Sequence, residues 1–224
     1  RASIIRNFVA MKSAIDTICA RATASGIGAI AVIRISGPDA IAVISKCFSK
    51  PIVDVSSHTV HFGMFKSLEG FTIDEVLVTV FHHGKSFTGE ESIEISCHGS
   101  PYVQQRILDV LIASDCRMAN PGEFTQRAFL NGNLDLSQAE AVADLIAAQS
   151  KRAHSIALNQ LKGNLSSDLK ILREELIAFA SLIELELDFS EEDVEFADRT
   201  QLKELVAKVL STVNKLSNSF ALGN

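Results

Sequence analysis

Two charged residues, Arg34 and Glu94, each interrupt a short stretch of apolar residues that is typical of a strand. Arg34 lies within the segment 30–35 and Glu94 within the segment 92–97, and neither segment contains another charged residue. Burying a guanidinium without a partner is prohibitively unfavourable, so Arg34 must be paired or bound to a ligand. Two interpretations stay open. In the first, the two residues form a structural ion pair, or Glu94 faces water. In the second, they form a small-molecule site.

A pterin ring has the chemistry that such a small-molecule site would recognise. Its ring N–H and exocyclic amine form a planar pair of donors, which one carboxylate accepts through two parallel hydrogen bonds. Glu94 supplies that carboxylate. Arg34 could then meet a carboxylate or carbonyl elsewhere on the same ligand.

Three other motifs invite a chemical interpretation that their context does not support. Gly84-Lys85-Ser86 resembles the end of a phosphate-binding loop, but position 79 is Thr where that loop requires Gly, and a strand rather than a helix is predicted to follow. We interpret it as a hairpin loop. His82-His83 and Cys97-His98 are adjacent pairs whose side chains point to opposite faces of a strand, so we predict no metal site there.

The elements that position Arg34 and Glu94 belong to a mixed first half of the chain. Short segments rich in Ile, Val, Thr and Phe predict strands at 14–20, 29–36, 59–65, 75–81 and 92–97. Apolar residues at spacings of three and four predict helices at 38–48 and 101–113. This interspersion predicts an α+β domain with a mixed sheet and helices.

The second half of the chain is helical by pattern. The segment Pro121–Ala141 predicts a Pro-started helix, a Gly-containing break and a second helix, which Ser137 and Glu140 would open as a capping box. Further along, Leu172, Leu176 and Phe179 repeat at helical spacing. We expect a helical bundle that is cut short in this chain or completed by another chain, and therefore expect this apolar face to be partly uncovered.

Composition limits the classes of function. The 224 residues include 21 basic and 27 acidic side chains, a net charge of -6. A protein that grips nucleic acid by its phosphates carries a basic surface, so any RNA contact here would be local or made by a partner. No stretch approaches the roughly 20 apolar residues of a membrane span, and we predict no membrane contact.

The four cysteines are far apart in the sequence, which predicts free, buried thiols. We interpret residues 1–10, before Met11, as an upstream extension.

Several strings along the chain resemble those of one protein family. They are Ile33-Arg34-Ile35-Ser36-Gly37, Ser86-Phe87-Thr88-Gly89-Glu90-Glu91, Ile95-Ser96-Cys97-His98-Gly99, the Pro121–Ala141 stretch and Glu184-Leu185-Glu186-Leu187-Asp188-Phe189. In this order and spacing they resemble the tRNA modification GTPases of the MnmE (TrmE) type. The resemblance implies that residues 11–130 form an α+β folate-binding and dimerisation domain, similar to the folate domains of one-carbon transfer enzymes. Residues 131–224 would be the first helices of an α-helical bundle domain.

The same resemblance implies a set of ligand contacts. Arg34 and Glu94 would bind a 5-formyl-tetrahydrofolate-like one-carbon donor near a homodimer interface. A third family contact is usually a basic residue, at the position where this chain has Asn133. An amide can still donate a hydrogen bond, but it cannot supply charge.

The resemblance also implies the activity and partners of the intact protein. With an FAD-containing MnmG (GidA)-type partner, it would add a (carboxymethyl)aminomethyl group at C5 of the wobble uridine of tRNA in the cytoplasm, using GTP, Mg²⁺ and K⁺. No Walker A motif lies in this chain, so we expect no GTP hydrolysis by it and predict no catalytic residue within it. Two alternatives stay open. They are a stand-alone folate-dependent aminomethyltransferase and a non-catalytic dimerisation scaffold.

Overall fold

The computed structural model describes residues 16–188 and 199–221. The predicted upstream extension at 1–10 lies outside these residues. The chain divides into two compact units, the first ending at Leu134 and the second beginning at Asp135. Asn133 therefore belongs to the first unit.

The first unit is built on one six-stranded sheet. Its strands are β1 (Ile18–Arg21), β2 (Ile30–Ser36), β3 (Thr59–Lys66), β4 (Thr72–Phe81), β5 (Ser92–His98) and β6 (Arg117–Met118). Their order across the sheet is β3-β4-β5-β2-β1-β6. Every neighbouring pair is antiparallel except β1 and β6, which are parallel. The predicted mixed sheet with helices is thus confirmed.

One face of this sheet is buried and the other is open. Residues such as Ile33, Ile35, Ile93 and Ile95 are fully buried in the hydrophobic core. Helices α1 (Ala40–Cys47) and α2 (Pro101–Ala113) contribute Val43, Ile44, Ile107 and Leu111 to the same core. Because successive side chains of a strand alternate between faces, Arg34 and Glu94 lie on the opposite, open face.

Four of the five predicted strands agree with the structure to within a few residues, and part of the fifth, at 14–20, lies outside the described residues. Strand β4 begins at Thr72, before the predicted start at 75. Strand β6 was not predicted, because it has two residues and exists through its pairing with β1. A segment that short carries no periodicity of its own.

Helix α3 (Glu123–Leu130) follows Gly122, whose φ of 78° places it in the left-handed region that favours glycine. Helix α4 (Leu136–Ala147) opens the second unit. The predicted capping box at Ser137 and Glu140 was wrong, because Asp135 is the N-cap and exchanges hydrogen bonds with Gln138. Asp caps a helix at least as well as Ser, and Ser137 already lies inside the helix.

The second unit continues with α5 (Lys151–Leu161), α6 (Asn164–Asp188) and α7 (Arg199–Ala221). Of the three residues expected to be partly uncovered, Leu172 and Phe179 are buried and Leu176 is 42% exposed. The expectation was therefore wrong for Leu172 and Phe179. Phe179 lines a cleft whose other walls include Leu205 and Lys208 of α7, which accounts for its burial. None of the described helices is both long and apolar enough to cross a membrane.

Candidate functional site

The antiparallel register of β2 and β5 places Arg34 directly opposite Glu94. The Arg34 Nη2 atom lies 2.7 Å from Glu94 Oε1, and Arg34 Nε lies 3.0 Å from the same oxygen. The two side chains are 23% and 29% exposed, so solvent reaches both of them. The ion pair that one interpretation predicted is present, and it lies on the accessible face of the sheet.

The ion pair leaves two polar atoms unused. Both guanidinium donors converge on Oε1 rather than taking one carboxylate oxygen each. Among the described residues, neither Nη1 of Arg34 nor Oε2 of Glu94 has a hydrogen-bond partner. The pair therefore still offers one donor and one acceptor to a ligand.

Two aromatic rings lie against the Arg34 guanidinium. Its Cζ is 5.2 Å from the centroid of Phe87 and 5.5 Å from that of Phe124, both within the range of a cation–π interaction. Phe87 lies in the loop between β4 and β5, and Phe124 lies in α3. Neither ring was predicted as a site residue, because nothing local to either one in the sequence indicates a distant arginine.

The loop that carries Phe87 is held by a set of hydrogen bonds. Ser86 Oγ donates to the Glu90 carbonyl (2.6 Å), and the Gly84 amide donates to the Gly89 carbonyl (2.9 Å). The Asn131 amide group donates to the Thr88 carbonyl at 2.7 Å. These bonds are typical of a closed loop, which agrees with the hairpin interpretation of Gly84-Lys85-Ser86.

Asn133, the third predicted contact, also binds this loop. Its Nδ2 donates to the Ser86 carbonyl at 3.0 Å and lies 3.4 Å from the Phe87 carbonyl. A Cβ atom on Gly89 would come within 3.1 Å of Asn133 Oδ1, and Gly89 has a φ of 81°. The structure thus places Asn133 beside the backbone of Phe87, the residue whose ring contacts Arg34.

A second charged cluster lies between α3 and the start of β1. Arg127, which is 8% exposed, donates from Nη2 to Asp16 Oδ1 (2.6 Å) and Glu123 Oε1 (3.1 Å). Its Nη1 lies 3.2 Å from both carboxylate oxygens of Glu90, which is in the same loop as Phe87. Arg117 also binds Glu123 and Asp16, at 2.6 Å each. The cluster therefore ties α3 to the β4–β5 loop.

The ionisation of this cluster is set by competition between burial and pairing. Burial opposes the charged forms of Asp16 and Glu123, but hydrogen bonds from Arg117 and Arg127 outweigh it and lower the pKa of both carboxyls. Burial also opposes the charge of Arg127, yet the negative charge of Glu90 and the hydrogen bonds raise its pKa. This cluster was not predicted from the sequence. Its one local signal is the spacing of Glu123 and Arg127, four residues apart on a helix.

The cysteines and histidines belong neither to the Arg34–Glu94 pair nor to the Arg127 cluster. All four cysteines are free and buried, as predicted, and burial raises the pKa of Cys47 to about 12 and that of Cys97 to about 11. His82 Nε2 lies 2.8 Å from the Val55 carbonyl, and His98 Nδ1 lies 2.7 Å from Asp74 Oδ1. Within residues 16–188 and 199–221, no group of three or more His, Cys, Asp or Glu side chains is placed to hold a metal ion.

Comparison with known proteins gives two family matches and a set of curated relatives. The model described as "GTP-binding protein TrmE N-terminus" matches residues 17–133, and "MnmE helical domain" matches residues 136–224. The tRNA modification GTPase MnmE of Christiangramia forsetii is 55% identical over 213 residues, which are 93% of this chain and 45% of the relative. Proteins of the same name from Flavobacterium johnsoniae and Parabacteroides distasonis are 55% and 50% identical, again over 93% of this chain, and it covers 46% and 47% of them.

The chain thus spans somewhat less than half of the length of these relatives. The first family match ends at residue 133, and the first compact unit ends at Leu134. The second match begins at residue 136, and the second unit begins at Asp135. The matched regions and the two compact units therefore correspond. The chain therefore belongs to the TrmE/MnmE family.

Proposed function

We propose that the chain is the N-terminal part of a tRNA modification GTPase, and that its first unit binds a 5-formyl-tetrahydrofolate-like one-carbon donor. The observation that carries this proposal is the Arg34–Glu94 pair on the open sheet face, with Nη1 and Oε2 unengaged. On this accessible face, Nη1 and Oε2 can each form a hydrogen bond with a ligand. The relatives, which are tRNA modification GTPases by name, support the tRNA modification part of the proposal.

The unused atoms match the polar groups of a reduced pterin. Glu94 Oε2 accepts a hydrogen bond from the ring N–H or the exocyclic amine. Arg34 Nη1 donates to a carbonyl or carboxylate of the same ligand. Asn133 is the third proposed contact, and it contributes an amide rather than a charge. It acts beside the loop carbonyls that it already binds.

The open sheet face also supports the proposed homodimer. It carries partly exposed apolar side chains on three strands, Ile30 (69%), Phe62 (51%) and Leu77 (44%), together with Val60 (56%). Exposed apolar side chains grouped on one face of a sheet are typical of an interaction surface. We propose that two copies pair through this face of the first unit, near the folate site.

The activity of the intact protein is part of the same proposal. It would hydrolyse GTP with Mg²⁺ and K⁺ and act in the cytoplasm with an FAD-containing MnmG-type partner. Together they would add a (carboxymethyl)aminomethyl group at C5 of wobble uridine in tRNA. A stand-alone folate-dependent aminomethyltransferase would instead transfer the one-carbon unit by itself, and a scaffold would not bind folate.

Calorimetric titration with 5-formyl-tetrahydrofolate tests the ligand. We expect the wild-type chain to bind and Glu94→Ala and Arg34→Ala to lose at least tenfold in affinity, about 1.4 kcal/mol. Glu75→Ala is the matched control, because Glu75 is an exposed carboxylate on the neighbouring strand β4 and should bind as the wild type does. A folded wild-type chain that does not bind folate would contradict the proposal and favour the scaffold.

A further inference from the structure

We propose that Phe87 and Phe124 are positioning residues for ligand recognition, and that they act by holding Arg34 in the half-engaged pair with Glu94. This inference rests on the proposed folate-binding function. Their rings lie 5.2 and 5.5 Å from the Arg34 guanidinium, and they come from two separate elements, the β4–β5 loop and α3. Neither residue is among the three contacts that the family resemblance implies.

The geometry of the ion pair indicates what the rings do. An arginine and a carboxylate that are free to adjust favour a fork in which two nitrogens bind two oxygens. In this pair Nε and Nη2 share Oε1, so the fork is incomplete. Attraction between the guanidinium and the two rings restrains it and opposes the rotation that would close the fork. Oε2 of Glu94 then stays available for a ligand donor.

Both rings are held in place by the charged cluster. Glu90, three residues after Phe87, receives Arg127 Nη1 at 3.2 Å. Glu123, the residue before Phe124, is 3% exposed and receives Arg127 Nη2 at 3.1 Å. One buried arginine thus connects the loop of one ring to the helix of the other. The backbone of Phe87 is additionally held from Asn133.

A specific consequence follows for ligand affinity. Replacing either ring with leucine keeps a side chain of similar bulk and leaves Arg34 and Glu94 in place, but it removes the restraint. Arg34 can then engage both oxygens of Glu94, and its N–H groups compete with the ligand donor for Oε2. Folate affinity should therefore fall although every proposed polar contact is still present.

The test uses the full 224-residue chain and two readouts. The variants are Phe87→Leu and Phe124→Leu, with Phe71→Leu as the matched control, because Phe71 is 73% exposed and lies between β3 and β4. The first readout is the NMR signal of the Arg34 side-chain Nε–H, identified by its disappearance in Arg34→Lys. Nearby aromatic rings shift this signal, and it needs no ligand. The second readout is calorimetric affinity for 5-formyl-tetrahydrofolate.

We expect the wild type and Phe71→Leu to share one shifted Nε–H signal, and each site variant to move it and bind folate at least fivefold more weakly. An Nε–H signal unchanged in both site variants would overturn the inference, and so would a moved signal with unchanged affinity. A wild-type chain that binds no folate would instead overturn the proposed function, and the NMR readout would still decide whether the rings lie against Arg34. Backbone spectra that match the wild type establish that each variant folds. Of the two substitutions, Phe87→Leu should disturb folding less, because Phe87 is 38% exposed.

Discussion

At the scale of single residues, the strongest constraint on the first unit is the cluster around Arg127. Three carboxylates, those of Asp16, Glu90 and Glu123, meet Arg127, and two of them also meet Arg117. Glu123 and Arg127 are both buried. A buried charge is tolerated because its partners are present, so removing one partner leaves the others uncompensated.

Replacing Arg127 with methionine should therefore lower the free energy of unfolding by about 3 kcal/mol. The control is Arg106→Met, because the Arg106–Asp109 pair is 4.0 Å long with both side chains nearly half exposed. It should cost no more than about 0.5 kcal/mol. Urea unfolding followed by far-UV circular dichroism measures both losses of stability. Equal stability of the two variants would contradict the role of the cluster.

The lowered pKa values of Asp16 and Glu123 predict a loss of stability in acid. The folded state binds the proton of each carboxyl more weakly than the unfolded state, whose pKa values are about 3.9 and 4.3. Their stabilisation is therefore complete above about pH 5 and disappears as the pH falls through the folded-state values. Urea unfolding between pH 6 and pH 3 should show this decline. It should be shallower in Arg127→Met than in Arg106→Met.

At the scale of elements, the start of α4 shows how two capping patterns can overlap. Both Asp135-x-x-Gln138 and Ser137-x-x-Glu140 have the spacing of a capping box, and the structure uses the first. Ser137 Oγ is buried and has no hydrogen-bond partner among the described residues. The choice of cap also fixes where the second unit begins, because Asp135 is its first residue.

Alanine substitutions separate the two capping patterns. Asp135→Ala should destabilise the helical unit by about 1 kcal/mol, because it removes the acceptor for the Gln138 amide. Ser137→Ala should be neutral or slightly stabilising, because it removes a buried hydroxyl without a partner. Thermal unfolding followed by far-UV circular dichroism measures both effects. A larger loss in Ser137→Ala would restore the capping box that the sequence analysis predicted.

At the scale of the whole molecule, the two faces of the sheet in the first unit have different roles. One face is the hydrophobic core, and the open face carries both the candidate site and exposed apolar side chains. This arrangement allows a ligand site and a subunit interface to share one surface. The chain spans less than half of its relatives, so the site and the proposed interface concern only part of the intact protein.

Sedimentation analysis tests the proposed homodimer. We expect a dimer at micromolar concentration, and Leu77→Asp, on the open face, should weaken it at least tenfold by placing a charge in an apolar interface. Ile112→Asp is the matched control, because Ile112 is 43% exposed, close to the 44% of Leu77, but lies on α2. It should leave the dimer intact. A monomeric wild-type chain would contradict the dimer, and a dimer unaffected by Leu77→Asp would contradict this face as the interface.

The sequence by itself determined the local elements and two of the candidate site residues. Alternation and apolar spacing predicted β2, β5 and α2, because burial on one face repeats within a few residues and leaves a readable period. The same pattern singled out Arg34 and Glu94, since a charge inside an apolar strand requires a partner. Arg34 and Glu94 are in fact partners, and their ligand role stays a prediction.

Only the tertiary structure decided which side chains surround that pair. Phe87 and Phe124 reach Arg34 from a loop and a helix far along the chain, and Arg127 binds Asp16 across 111 positions of sequence. Such contacts depend on strand register and loop closure, which are set by the summed packing of many distant residues. A short segment of sequence does not contain the packing contributions of distant residues. The geometry of the site could therefore be obtained only from the tertiary structure.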